Sequence, residues 1–193
     1  MLDRTIAPPF KRSTSFELIK PQKQVLKGGA ESYFILGGTQ DVSKLEIIFP
    51  AGRWVEKVWG ASYFTSNLLS KGTKRKTSFE LAHLLDLYGA HLEISPGLDS
   101  VSVSLYILNK NFESAILLFL ELLTESILPE EELDLLKSIY LQNLRVNYEK
   151  TSFQASKLVR KNLFGNDHPY GKELDEEDVR NLNPDTLRQH YSA

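Results

Sequence analysis

The strongest candidate bases and metal ligands in this chain are its four histidines, His83, His91, His168 and His190. Imidazole ordinarily titrates near neutral pH and is the commonest ligand of transition metals, so the spacing of these residues decides what they can do. His83 and His91 stand eight apart with Gly89, a helix-ending residue, between them, so they do not share a helical face. Neither His-Glu-x-x-His nor the inverted His-x-x-Glu-His occurs; these spacings give zinc two imidazoles with a general base beside them. A metal site assembled from His83, His91 and Glu93 stays open as the one remaining metallohydrolase arrangement. His168, in His168-Pro169-Tyr170-Gly171, reads as part of a structural turn. Its only nearby carboxylate is the adjacent Asp167, poorly placed to bind the same ion.

The other chemistry-bearing groups have plainer readings. Gly60 and Lys71-Gly72-Thr73 lack the Gly-x-x-x-x-Gly-Lys-Ser/Thr spacing of a phosphate loop. The cluster Lys71, Lys74, Arg75 and Lys76 is short and without interleaved aromatics, as in a solvated loop. Glu130, Glu131 and Glu132 follow Pro129 and serve a helix start, where carboxylates meet the positive end of the dipole. With no cysteine, disulfides, thiolate metal sites and cysteine nucleophiles are excluded; a cytoplasmic location is compatible with that. Residues 1–100 carry 13 basic and 10 acidic side chains and residues 101–193 carry 10 and 15, giving +3 and −5. Neither half has the concentrated basic face of a nucleic-acid binder. The first residues have no apolar core of a secretory signal. The longest apolar run, Ala115 to Leu123, is cut at Glu121, so no membrane segment is expected.

These residues must be positioned by a mixed set of elements. Residues 1–27, with Pro8, Pro9 and Pro21 and no sustained period, read as an extended arm over the body. Tyr33–Leu36 and Leu45–Phe49 are β-rich runs flanking Gly37-Gly38-Thr39-Gln40-Asp41, which predicts a hairpin-like pair. Val58, Ala61, Phe64 and Leu68 predict a helix over 55–70, and Thr77 or Ser78 caps another that Gly89 stops. His91–Ser95 and the alternating Val101–Ile107 predict two strands around a turn at Pro96–Asp99. Helices are then expected over 115–124, from Pro129 to Tyr148 with Leu133, Leu136, Tyr140, Leu144 and Tyr148 on one stripe, and over 153–163, 176–182 and 184–191. This order predicts an α+β fold, a mainly antiparallel sheet packed against several helices.

Gly60-Ala61-Ser62-Tyr63-Phe64-Thr65-Ser66-Asn67-Leu68-Leu69-Ser70-Lys71-Gly72-Thr73 resembles the first catalytic helix of the pitrilysin/insulinase/mitochondrial processing peptidase family. There the stretch reads Gly-Leu-Ala-His-Phe-Leu-Glu-His-Met-Leu-Phe-Lys-Gly-Thr. Phe49-Pro50-Ala51-Gly52 before it resembles that family's strand-ending turn, and Leu84 to Leu92 after it resembles its helix–glycine–strand passage. Leu136 to Ile139, Asn143-Leu144-Arg145 and Leu163 to Gly171 follow in family order, so the resemblance covers nearly the whole chain. It implies a metallopeptidase-like domain over residues 28–193. It also implies at least one further strand and a second, similar domain in full chains, so that the domain here stops before its final strand with a sheet edge open to self-association.

The departures carry the functional expectation. In active members two histidines bind zinc, the glutamate between them is the general base, and a glutamate of a later helix is the third ligand. By the resemblance these positions fall on Tyr63, Asn67, Ser66 and Asn143. Tyr63 and Asn67, four apart, still share a helix face, but a phenol and an amide are poor substitutes for imidazole, and Ser66 cannot act as a carboxylate base near neutral pH. Asn143 is expected to turn inward toward Tyr63 as part of a polar plug. The implied protein needs no metal or other cofactor: it is an inactive subunit pairing with an active zinc-peptidase homologue around a chamber that holds an extended peptide. Two alternatives are a structural core subunit of a larger complex and an active zinc-dependent peptidase using His83, His91 and Glu93.

Overall fold

The computed structural model describes Thr5, Ala7, Phe10 and residues 17–193, and it divides into two units, residues 1–40 and 41–193. In the first, β1 (Gln22–Val25) pairs antiparallel with β2 (Glu31–Phe34), from Gln22 opposite Phe34 to Val25 opposite Glu31. Gly29, at φ 85°, supplies the left-handed residue of the turn, a conformation without penalty only for glycine. The boundary expected at residue 27 therefore falls inside a hairpin turn, and most of the expected arm before residue 17 lies outside the described residues.

The hairpin expected between Tyr33–Leu36 and Leu45–Phe49 does not form. The second run belongs instead to β3 (Val42–Phe49) in the larger unit, which pairs over its whole length with β5 (Val101–Leu108). On the other side of β5 lies β4 (His91–Pro96), so the sheet order is β3-β5-β4, antiparallel throughout. The register builds apolar rows across one face, Ile47–Val103–Ile94 and Leu45–Leu105–Leu92. The opposite face carries the polar rows Glu46–Ser104–Glu93 and Lys44–Tyr106–His91. Strand alternation places alternate residues on opposite faces, so the pattern needs helices on the apolar side only.

Among the described residues seven α-helices follow the order read from the sequence: α1 (Ala61–Leu68), α2 (Ser78–Tyr88), α3 (Phe112–Thr124), α4 (Glu130–Tyr148), α5 (Thr151–Phe164), α6 (Glu176–Asn181) and α7 (Pro184–Tyr191). Thr77 caps α2 in a reciprocal capping box with Glu80, and Gly89 ends it at φ 60°. Ala115 and Phe119 of α3 pack with Leu69 on the sheet's apolar rows. A second core joins Ala61, Phe64 and Leu68 of α1 to Leu128, Leu133, Leu174, Val179, Leu182 and Leu187. Fully burying one such leucine or phenylalanine stabilises by about 1.5–3 kcal/mol. Among the described residues no helix is long and apolar enough to cross a membrane.

Candidate functional site

The helix expected over 55–70 begins only at Ala61, because Gly60 sits at φ 90° and breaks the helical path. A β-carbon at Gly60 would meet Leu174 and Leu182 at 3.0–3.1 Å. The carboxylate of Glu56, 2% exposed, accepts the Gly60 and Ser62 amide N–H groups at 3.1 and 3.0 Å. It thereby satisfies two donors that a helix start leaves unpaired. Burial pushes the Glu56 carboxyl above its ordinary range, against the pull of those amides and of Arg53, 3.8 Å away. The Ser62 hydroxyl donates to the Ala51 carbonyl at 2.7 Å, tying α1 to the turn that ends β3. From the other side, His190 of α7 meets the same carbonyl at 3.1 Å.

On this fixed helix, Ala61, Phe64 and Leu68 turn into the core, while Tyr63 and Asn67 lie together on the outer side. The Asn67 side-chain N–H donates to the Tyr63 carbonyl at 2.8 Å. Ser66 is 3% exposed and its hydroxyl donates to the Ser62 carbonyl at 2.7 Å, so this hydroxyl is buried and engaged. The Tyr63 ring makes edge contacts with Phe64 and with Tyr140 of α4, both at 5.3 Å between centroids, and Tyr140 lies 5.6 Å from Phe64. Burial raises the Tyr63 phenol and pushes Tyr140 up to about 12, with the Glu173 carboxylate adding to the latter. Both rings are neutral phenols at neutral pH.

Asn143 is not part of this group. It is exposed, whereas Leu144 beside it is 3% exposed. Helical geometry turns neighbouring residues by about 100°, so one position decides which side chain faces α1. The residue that meets Tyr63 is Tyr140. Its place on the apolar stripe was legible in the sequence, but its contact across the helices was not. Glu56 as the cap of α1 also went unforeseen; a carboxylate four residues before a glycine that breaks a helix is the signal that could have found it.

Zinc does not fit these residues. A catalytic zinc wants neutral imidazole or carboxylate donors, and the helix offers a protonated phenol, an uncharged amide and a hydroxyl committed to a carbonyl. His83, His91 and Glu93 are not brought together as ligands. His83 stacks on Phe79, His91 lies against Tyr106, and Glu93 accepts from the Tyr106 hydroxyl. Among the described residues no three histidine or carboxylate side chains gather as a metal would require. His168 sits among the rings of Trp54, Phe164 and Tyr170 and accepts the Tyr170 amide N–H at 3.1 Å, as expected of a structural turn. Arg75 and Lys76 are paired with Glu125 and Glu121.

The model of the insulinase family, peptidase family M16, matches residues 37–174. No curated protein sequence matches the chain. Among solved structures, a peptidase M16 inactive domain from Pseudomonas fluorescens superposes with a TM-score of 0.83 at 23% identity, over 88% of this chain and 42% of that one. A protease from Helicobacter pylori gives 0.79 at 18% identity, over 91% and 43%. The periplasmic protease PqqL from Escherichia coli gives 0.79 at 16%, over 93% and 21%. The chain thus spans less than half the length of each of these relatives.

Proposed function

The chain belongs to the insulinase family of peptidases, and from that membership we propose that it is a non-catalytic, peptidase-like subunit that pairs with an active homologue and walls a shared peptide-binding chamber. The observation carrying this reading is α1 itself. The helix is capped and packed, yet positions 63, 66 and 67 hold Tyr, Ser and Asn. Without a cation to lower the pKa of bound water, and without a carboxylate to take its proton, no hydroxide nucleophile forms there.

The peptide-holding half of the proposal is supported by the sheet. Among the described residues β4 pairs only with β5, and α1 lies against β4. Pro96, which has no N–H to donate, suits an edge strand. An extended peptide added to this edge gains main-chain hydrogen bonds with little sequence demand. The test is reconstitution. The purified chain should contain no stoichiometric zinc and cleave no peptide, and it should raise peptide cleavage when mixed with a His-x-x-Glu-His homologue from the same cell. Stoichiometric zinc, or a chain that neither binds nor stimulates such a homologue, rejects the proposal.

A structural core subunit is the second reading, favoured by apolar side chains left exposed on α4 (Leu135, Ile139, Val146) and α5 (Leu158, Val159, Leu163). Exposed apolar patches of this kind mark association surfaces. Co-purification separates the two readings: a peptidase subunit supports the first, a large assembly without peptidase activity the second.

A further inference from the structure

We infer that Tyr63 and Tyr140 form an aromatic clamp that receives an aromatic side chain of a peptide lying along the β4 edge. The inference rests on the peptide-holding reading above and names the side chain that this surface selects. Three observations carry it. The Tyr63 and Tyr140 rings cross at 62° over the fully buried ring of Phe64, and Tyr63 keeps 37% of its surface exposed. An angular pair of rings on a rigid floor suits edge-to-face contact with a third ring.

Charge then narrows the occupant. Residues 61–68 include no ionisable acid or base other than Tyr63. The two charged groups that act on Tyr140, Glu173 and Arg53, are each committed elsewhere, Glu173 to Arg160 and Arg53 to Glu56. A charged peptide side chain would leave water here without gaining a free counter-ion, which disfavours it. Finally, the half-exposed Tyr63 makes no side-chain hydrogen bond among the described residues, so its hydroxyl remains available to the peptide main chain, while β4, which lies against α1, pairs among the described residues only with β5.

The experiment titrates blocked octapeptides, identical except for Phe, Ala or Glu at the central position, onto the full chain by fluorescence anisotropy. The Phe peptide should bind about tenfold more tightly than the Ala peptide, and the Glu peptide no better than Ala. Tyr63→Ala should erase the Phe preference and Tyr63→Phe should keep it, with circular dichroism showing that both variants are folded. Should Tyr63→Ala not fold, Tyr140→Leu serves in its place. Equal affinity for Phe and Ala peptides, or a Phe preference that survives Tyr63→Ala, overturns the clamp while leaving peptide binding standing. Failure of every peptide to bind removes the peptide-holding reading and the clamp together.

Discussion

Tyr140 and Asn143 stand three residues apart on one helix and differ in almost everything that matters to stability. Tyr140 packs on Tyr63 and Phe64, so Tyr140→Ala should cost about 3 kcal/mol, the lower end of the range for deleting a large ring. Asn143 is exposed, and Asn143→Ala should stay within about 0.5 kcal/mol. Urea denaturation of both variants checks the contrast, and equal effects would contradict the placement of α4 against α1. His190 gives a pH signature. Burial lowers its pKa from the ordinary 6.5, against the contact with Ala51. The unfolded chain then binds more protons between the two values, so this contribution is complete above pH 6.5 and is lost as pH falls toward the lowered value. His190→Gln should flatten the melting-temperature profile on the acid side of pH 6.5. Glu56 acts with the opposite sign, since its raised pKa means that protonation relieves a burial cost.

At the scale of the element, α1 depends on two features before its first turn. Gly60→Ala forces a side chain into a left-handed backbone and against Leu174 and Leu182, and should cost about 1–2 kcal/mol. Glu56→Ala leaves the Gly60 and Ser62 amides unpaired and should cost about 1–2 kcal/mol, with faster amide exchange at the start of α1. A neutral result for either would mean that α1 is held by its apolar face alone. Most helices were legible because their signals are local: Thr77 and Gly89 bracket α2, and Pro129 with three glutamates opens α4. The strand pairing of Leu45–Phe49 was not. Its partner, Val101–Leu108, lies more than fifty residues away, whereas the nearby glycines suggested a hairpin that only local composition favoured.

For the whole molecule, the division at Gln40 and Asp41 makes a prediction. The larger unit contains the three-stranded sheet and, among the described residues, the buried apolar clusters. In the smaller unit, β1 and β2 bury no side chain fully, and a lone two-stranded hairpin is marginal in water. Residues 41–193 alone should therefore keep the circular dichroism of the full chain, less a small strand component, and melt cooperatively. Loss of cooperative melting on removing residues 1–40 would show that the smaller unit carries stability that its exposed strands do not suggest.

The sequence by itself determined the α+β class, the order of helices and strands after residue 41, and the presence of Tyr63, Ser66 and Asn67, with no histidine or carboxylate, on the first helix. Each of these is written in residue identity or in a short-range period. Only the tertiary structure decided that β3 joins β5, that Tyr140 rather than Asn143 meets Tyr63, and that Glu56 closes the start of α1. Strand partners and facing side chains depend on contacts between distant segments, where a shift of one residue turns a side chain away, and no local pattern fixes that register.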